Sequence, residues 1–206
     1  MMKARDINYE IIGKKLKEGK IIIYPTDTVY GVGGIITNEE TIKNIYRAKT
    51  RSFSSPLIAL VSSLEKIKEI AYIDYNKEKV LKLIEKFWPG GLTIILRKKD
   101  VVPGIMISNG ETVGVRMPNH EIALKIIESA GGILPTTSAN ISGEPTPRSY
   151  EELSDKFKER VDIIIDGGES PIGEASTIID MSNENIRILR EGSISKEHIE
   201  KIIGKI

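Results

Sequence analysis

No cysteine occurs in these 206 residues, histidine occurs twice, and aromatic residues make up 5%. Without cysteine there is no disulfide, no thiolate metal site and no cysteine nucleophile. That usage fits a reducing compartment, and a cytoplasmic protein is expected. No catalytic triad or histidine metal cluster can be assembled from His120 and His198. His198 lies in a charged terminal helix, and His120, after Pro118-Asn119, reads as a capping or loop residue. A dominant charge sign is also missing: 30 basic residues against 29 acidic leave a net charge of +1. The totals therefore show no nucleic-acid footprint, although a local basic cleft stays open. No apolar run approaches the ~20 residues of a membrane span, and no signal-peptide core opens the chain, so no membrane partner is expected. The phosphate-loop pattern G-x-x-x-x-G-K-[ST] is absent, and Gly31-Val32-Gly33 fails to extend to G-x-G-x-x-G because Ile36 holds the last position.

What is present alternates between helical and strand periodicity. Helices are expected over 7–18, 39–48, 77–87, 121–130, 150–160 and 195–203, with a short one to 71 capped by Ser63. Strands are expected over 20–24, 57–61, 92–97, 112–116, 133–137, 162–166, 176–180 and 185–190. Neither repeats nor linkers interrupt the pattern. It reads as one domain over 1–206, α/β or mixed α+β, with a twisted central sheet flanked by helices.

The densest signal is Tyr24-Pro25-Thr26-Asp27-Thr28-Val29-Tyr30-Gly31, placed where the strand from Ile21 to Ile23 ends. Pro25 leaves the ladder, and Gly31, Gly33 and Gly34 relax the backbone beyond it. Hydroxyls crowd this strand end, where open α/β sheets usually place ligands. Other strand ends match it: Thr136, Thr137 and Ser138, then Asn140 and Ser142, and Ser176 with Thr177. Taken singly, each serine or threonine is a turn or cap residue. Lys49 and Arg51 alone read as a solvated helix terminus. Arg116, after Val113-Gly114-Val115, calls for an acidic partner or an anionic ligand. Arg190 raises the same question, with Glu191 as a candidate partner. Four cations among hydroxyls fit a phosphate or a carboxylate, and arginine suits either.

The ordered blocks resemble the YrdC family of threonylcarbamoyl-adenylate synthases, in its short single-domain form. They are the segment from Tyr24 to Gly31, Lys49-Thr50-Arg51, Trp88-Pro89-Gly90-Gly91-Leu92-Thr93, Val115-Arg116-Met117-Pro118, the run from Thr137 to Gly143, Asp166-Gly167-Gly168, Ser176-Thr177 and the run from Ile188 to Gly192. The resemblance implies a twisted α/β sheet around a wide positive cleft. It implies a nucleotidyltransferase that joins L-threonine, bicarbonate and ATP into threonylcarbamoyl-AMP and pyrophosphate. Thr28, Arg116, Thr136 and Ser176 would hold L-threonine. Arg51, Ser55, Thr112, Ser138, Thr146 and Arg190 would contact ATP, and Lys49 with Arg51 would serve catalysis by adding charge near the phosphates. Thr26 and Asp27 would support the turn, and Tyr30 would pack or line the cleft. Mg2+ would arrive on ATP, with no metal ligand from protein side chains. Separate transfer proteins acting on tRNA would be the downstream partners, with weak RNA binding as a further partner.

The chain departs from that pattern at Ser55, where many relatives have asparagine, at Leu60, where many have histidine, and across Gly173-Glu174-Ala175-Ser176. Two rival readings differ in class. A non-catalytic RNA-binding module would show a steep salt dependence. A carbamoyl-adenylate or carbamoyltransferase domain would sit in larger chains with zinc-finger cysteines.

Overall fold

Residues 21–24 are apolar on both sides, and both sides are buried. Ile21 and Ile23 join the larger core, while Ile22 and Tyr24 join the smaller one. A strand covered on both faces requires helices on both faces, and that requirement shapes the molecule.

The computed structural model describes residues 1–206. Strand β1 (Met2–Lys3) and a 3-10 turn lead into helix α1 (Tyr9–Lys17), where the Asn8 side chain accepts the Ile11 amide at 3.1 Å. Strands β2 (Ile22–Tyr24) and β3 (Gly31–Gly33) precede α2 (Glu39–Lys49), which Asn38 caps through the amides of Glu40 and Thr41. Next come β4 (Ile58–Val61), α3 (Ile67–Ile70), β5 (Ala71–Tyr72), α4 (Lys77–Phe87) and β6 (Leu92–Lys98). A second 3-10 turn precedes β7 (Thr112–Arg116), α5 (Glu121–Ser129) and β8 (Ile133–Ser138). The chain continues through α6 (Asp155–Lys158), β9 (Ile163–Asp166), β10 (Thr177–Asp180), β11 (Arg187–Arg190) and α7 (Lys196–Ile203).

All strands belong to one mixed sheet, in the order β1-β9-β2-β3-β8-β4-β7-β6-β10-β11, with β5 paired to β6. Ile12 and Leu16 of α1 meet Ala123, Ile126 and Ile127 of α5 over one face. Helices α2, α4 and α7 cover the other through residues such as Ile45, Leu83 and Ile199. The mixed α/β fold with helices flanking a central sheet is the one expected from sequence.

Three local expectations are corrected. Gly31–Gly33 is a strand, antiparallel to β2 and to β8, rather than relaxed loop. Its glycines serve close approach: a Cβ on Gly33 would stand 2.8 Å from the Thr136 hydroxyl oxygen. Helix 150–160 shrinks to Asp155–Lys158. The backbone before it is committed elsewhere, with Pro147 O accepting the Tyr30 amide at 2.9 Å and Arg148 O the Ser170 amide at 2.7 Å. Ser63 caps nothing, because residues 64–69 make tight i to i+3 bonds and leave one helical turn at Ile67–Ile70.

Candidate active site

The loop between β2 and β3 is built around one hydroxyl. Thr26 Oγ1 accepts the amides of Thr28 and Val29 at 3.2 and 3.3 Å and donates to Val29 O at 2.6 Å. This local turn lets a polar segment sit buried without orphaned amides. From the turn, Thr28 and Asp27 both reach Arg116, the last residue of β7.

Arg116 is 4% exposed, so its charge must be answered nearby. Nε donates to Gly90 O at 2.9 Å, Nη1 to Thr28 Oγ1 at 2.7 Å, and Nη2 to the Asp27 carboxylate. Burial pulls the guanidinium below its ordinary value, and Asp27 opposes that pull. Asp27 is itself buried, and its second oxygen, Oδ2, has no partner. Next to this pair, the Tyr24 hydroxyl bonds Thr136 Oγ1 at 2.8 Å. Burial raises the Tyr24 phenol, so it stays a neutral donor.

A second wall rises from β6, β10 and β11. Thr93 Oγ1 meets Ser176 Oγ at 2.9 Å, and Arg190 donates twice to Ser176 O, at 3.1 and 2.8 Å. Gly192 lets the chain fold against this wall, since a Cβ there would lie 2.2 Å from Ala175 O. Burial lowers Arg190 below its ordinary value, and the Arg116 charge lowers it further. Two guanidiniums that repel each other across a cleft mark a place for an anion. Arg190 forms no pair with Glu191, which accepts the Lys196 amide at 3.1 Å instead.

At the mouth, Arg51 is fixed by carbonyls alone: Nε to Ser55 O at 3.0 Å and Nη2 to Pro56 O at 3.1 Å. It follows Thr50, whose φ of 52° ends α2 in the left-handed region. That conformation is uncommon for a β-branched residue. Arg160 bridges the turn, donating to Ala48 O and to Thr50 Oγ1, both at 2.9 Å.

Thr28, Arg51, Arg116, Thr136, Ser138, Thr146, Ser176 and Arg190 line one cleft of about 740 Å³, its open mouth included. Val29, Ile58, Leu60 and Ile178 supply apolar surface within it. Lys49, Ser55 and Thr112 are not among the residues that line it. The Lys49 ammonium is turned inward, donating to Ser138 O, to Asn140 O at 2.6 Å and to Asn140 Oδ1 at 3.0 Å. Burial, aided by the charge of Arg51, pulls Lys49 down to about 7. Ser55 contributes its carbonyl, which Arg51 and the Tyr46 hydroxyl both use. Thr112 starts β7 while Arg116 ends it, so the two are roughly 13 Å apart along the strand.

The sequence places Asp27 in the turn, and the structure adds its pairing with Arg116. The available signal was a lone acid inside a hydroxyl run facing a strand arginine that lacked a partner. No group of three or more His, Cys, Asp or Glu side chains comes together that could hold a metal.

The Sua5/YciO/YrdC family model, described as "Telomere recombination", matches residues 14–192. A threonylcarbamoyl-AMP synthase of Pyrococcus abyssi is 42% identical over 191 residues, covering 93% of this chain and 56% of that protein. One from Bacillus subtilis is 37% identical over 192 residues, covering 93% of this chain and 55% of that protein. The chain thus spans about half the length of these curated relatives. The solved structure of Pyrococcus abyssi Sua5 complexed with L-threonine superposes with a TM-score of 0.93 at 40% identity, covering 100% of this chain and 60% of that one.

Proposed function

This chain belongs to the Sua5/YciO/YrdC family, and from that premise we propose that it is a nucleotidyltransferase, a threonylcarbamoyl-AMP synthase acting on L-threonine, bicarbonate and ATP. One observation carries the reading: a single cleft combines a buried guanidinium among hydroxyls with two further guanidiniums nearer its mouth. The first suits an amino-acid carboxylate, and the others suit a nucleotide's phosphates.

Arg116 takes the carboxylate of L-threonine, and Thr28, Thr136 and Ser176 orient its polar groups. Val29 and Ile178 offer apolar surface to its methyl group. The amine combines with bicarbonate to give a carbamate and water. A carbamate oxygen then attacks the α-phosphorus of ATP, forming the new P–O bond as the bond to pyrophosphate breaks. Arg51 and Arg190 offset charge on the phosphates, and Ser138 and Thr146 contact the nucleotide. Such a substitution depends on positioning and charge stabilisation, so it needs neither histidine nor cysteine. Lys49 acts from behind the wall by holding Ser138 and Asn140 in place. Mg2+ enters as part of the MgATP substrate. The polar lining of the cleft is hydroxyls and guanidiniums, and the Asp27 carboxylate beside it is engaged by Arg116. The product is a reactive mixed anhydride that transfer proteins acting on tRNA would consume in a cytoplasmic pathway.

The test is pyrophosphate release from protein, MgATP and bicarbonate, with and without L-threonine. Threonine-dependent release with formation of the acyl-adenylate is expected. Threonine-independent release, or none, would overturn the reading.

A further inference from the structure

Asp27 does something that the position of Arg116 alone does not require. Arg116 is already fixed by Gly90 O at 2.9 Å and Thr28 Oγ1 at 2.7 Å, both neutral acceptors. A third neutral acceptor would complete the fork. Instead a full carboxylate is placed there, 2% exposed, with one oxygen on Nη2 and the other left without any partner. A half-satisfied buried carboxylate costs stability, and a neutral side chain would avoid that cost. The remaining cleft cations, Arg51 and Arg190, have no such acid: their side chains bond only to Ser55, Pro56 and Ser176.

Charge is therefore distributed unevenly within one cavity. At the deep end, Arg116 and Asp27 sum to zero. Towards the mouth, two guanidiniums remain uncompensated. The two proposed substrates divide in the same way. A zwitterionic amino acid has no net charge, and a triphosphate carries several negative charges. A bare buried guanidinium would attract phosphate, sulfate or a dicarboxylate at least as strongly as an amino acid.

We infer that Asp27 is a specificity-determining residue that neutralises the amino-acid end of the cleft, so that multiply charged anions, including the enzyme's own nucleotide and pyrophosphate, are excluded from it. It acts through Arg116 rather than by touching substrate, because Asp27 does not line the cleft while Arg116 does. Two N–H groups of Arg116 remain for a substrate carboxylate after its three bonds are counted. Asp27 thus leaves geometry for one carboxylate and removes the excess charge that would favour larger anions.

This inference rests on the amino-acid reading of the deep end, so the experiment separates the two. Initial rates are measured with L-threonine and MgATP varied in turn, with sulfate as the competing anion and chloride holding ionic strength constant. In the unmodified protein, sulfate is expected to raise the apparent KM for ATP and leave that for L-threonine within about two-fold. If sulfate competes with L-threonine in the unmodified protein, the inference is overturned while the proposed activity stands. If no threonine-dependent rate exists, the proposed activity fails first. The second arm uses Asp27→Asn, which keeps the shape and removes the charge. There sulfate and pyrophosphate should become competitive with L-threonine, with inhibition strengthened roughly ten-fold, the size expected for one close charge in a partly screened site. An Asp27→Asn protein that loses activity without new anion competition would make Asp27 a structural support only. Should that variant fail to fold, the sulfate pattern of the unmodified protein still decides.

Discussion

The deep end and the mouth of the cleft use the same cation and treat it differently. Arg116, at 4% exposure, is answered by a carboxylate and two neutral acceptors. Arg51, half-buried, is answered by two backbone carbonyls and nothing charged. An ion deep in protein must be paired or it does not stay there, whereas an ion near solvent can remain unpaired and attract a ligand. Burial thus separates chemically identical side chains: a pre-paired guanidinium suits the orienting of a small ligand, and a bare one suits the collection of charge.

The contrast can be broken most severely at its buried member. Arg116→Ala leaves Asp27 buried and unpaired, so we expect a stability loss of about 3–5 kcal/mol. Threonine-dependent product formation should vanish at ordinary threonine concentrations. Thermal unfolding and pyrophosphate assays check both; unchanged threonine affinity would remove Arg116 from the site. Arg51→Ala leaves no buried charge unpaired and should barely change stability. Its effect should fall on ATP, with KM raised by roughly 10- to 100-fold, as for the loss of one charge-assisted contact worth about 1.5–3 kcal/mol. A change in threonine KM instead of ATP KM would reverse the two ends.

Smaller perturbations sharpen the same division. Serine in place of L-threonine removes one methyl from the apolar surface near Val29 and Ile178, which should lower kcat/KM by the equivalent of about 1–3 kcal/mol. Equal rates for serine and threonine would show that the cleft does not read the methyl. Lys49 supplies a pH test behind the cleft wall, because burial brings it down to about 7 from an ordinary value of 10.5. Between those values the unfolded chain binds a proton that the folded chain has released. Stability therefore rises with pH across that window, by up to a slope of one proton. Compared with Lys49→Met, the unmodified protein should gain melting temperature from pH 7 towards pH 10. Parallel curves would mean that Ser138 and Asn140 keep Lys49 charged throughout.

The legible parts of the sequence were those governed by local rules. Helix Lys77–Phe87 and strand Thr112–Arg116 follow from periodicity and stop signals, and both form over those residues. The hydroxyl-rich strand ends could be read as ligand-facing because turns alone do not require so many donors. Strand Gly31–Gly33 could not be read, because its glycines answer a neighbour 105 positions or so away, Thr136, whose approach only the assembled sheet reveals. Lys49 and Asp27 failed for a related reason. Both are charged residues in polar-looking segments, where solvent exposure is the ordinary expectation. Their burial is set by carbonyls and by a guanidinium brought from distant strands.

The division between the two ends is tested most directly by calorimetric titration of L-threonine, without nucleotide, into the unmodified protein, Arg51→Gln and Arg116→Gln. The account predicts that the unmodified protein and Arg51→Gln bind L-threonine alike, within about two-fold, while Arg116→Gln loses the binding, as expected when a buried charge-assisted contact is removed. Retained binding in Arg116→Gln together with lost binding in Arg51→Gln would contradict it.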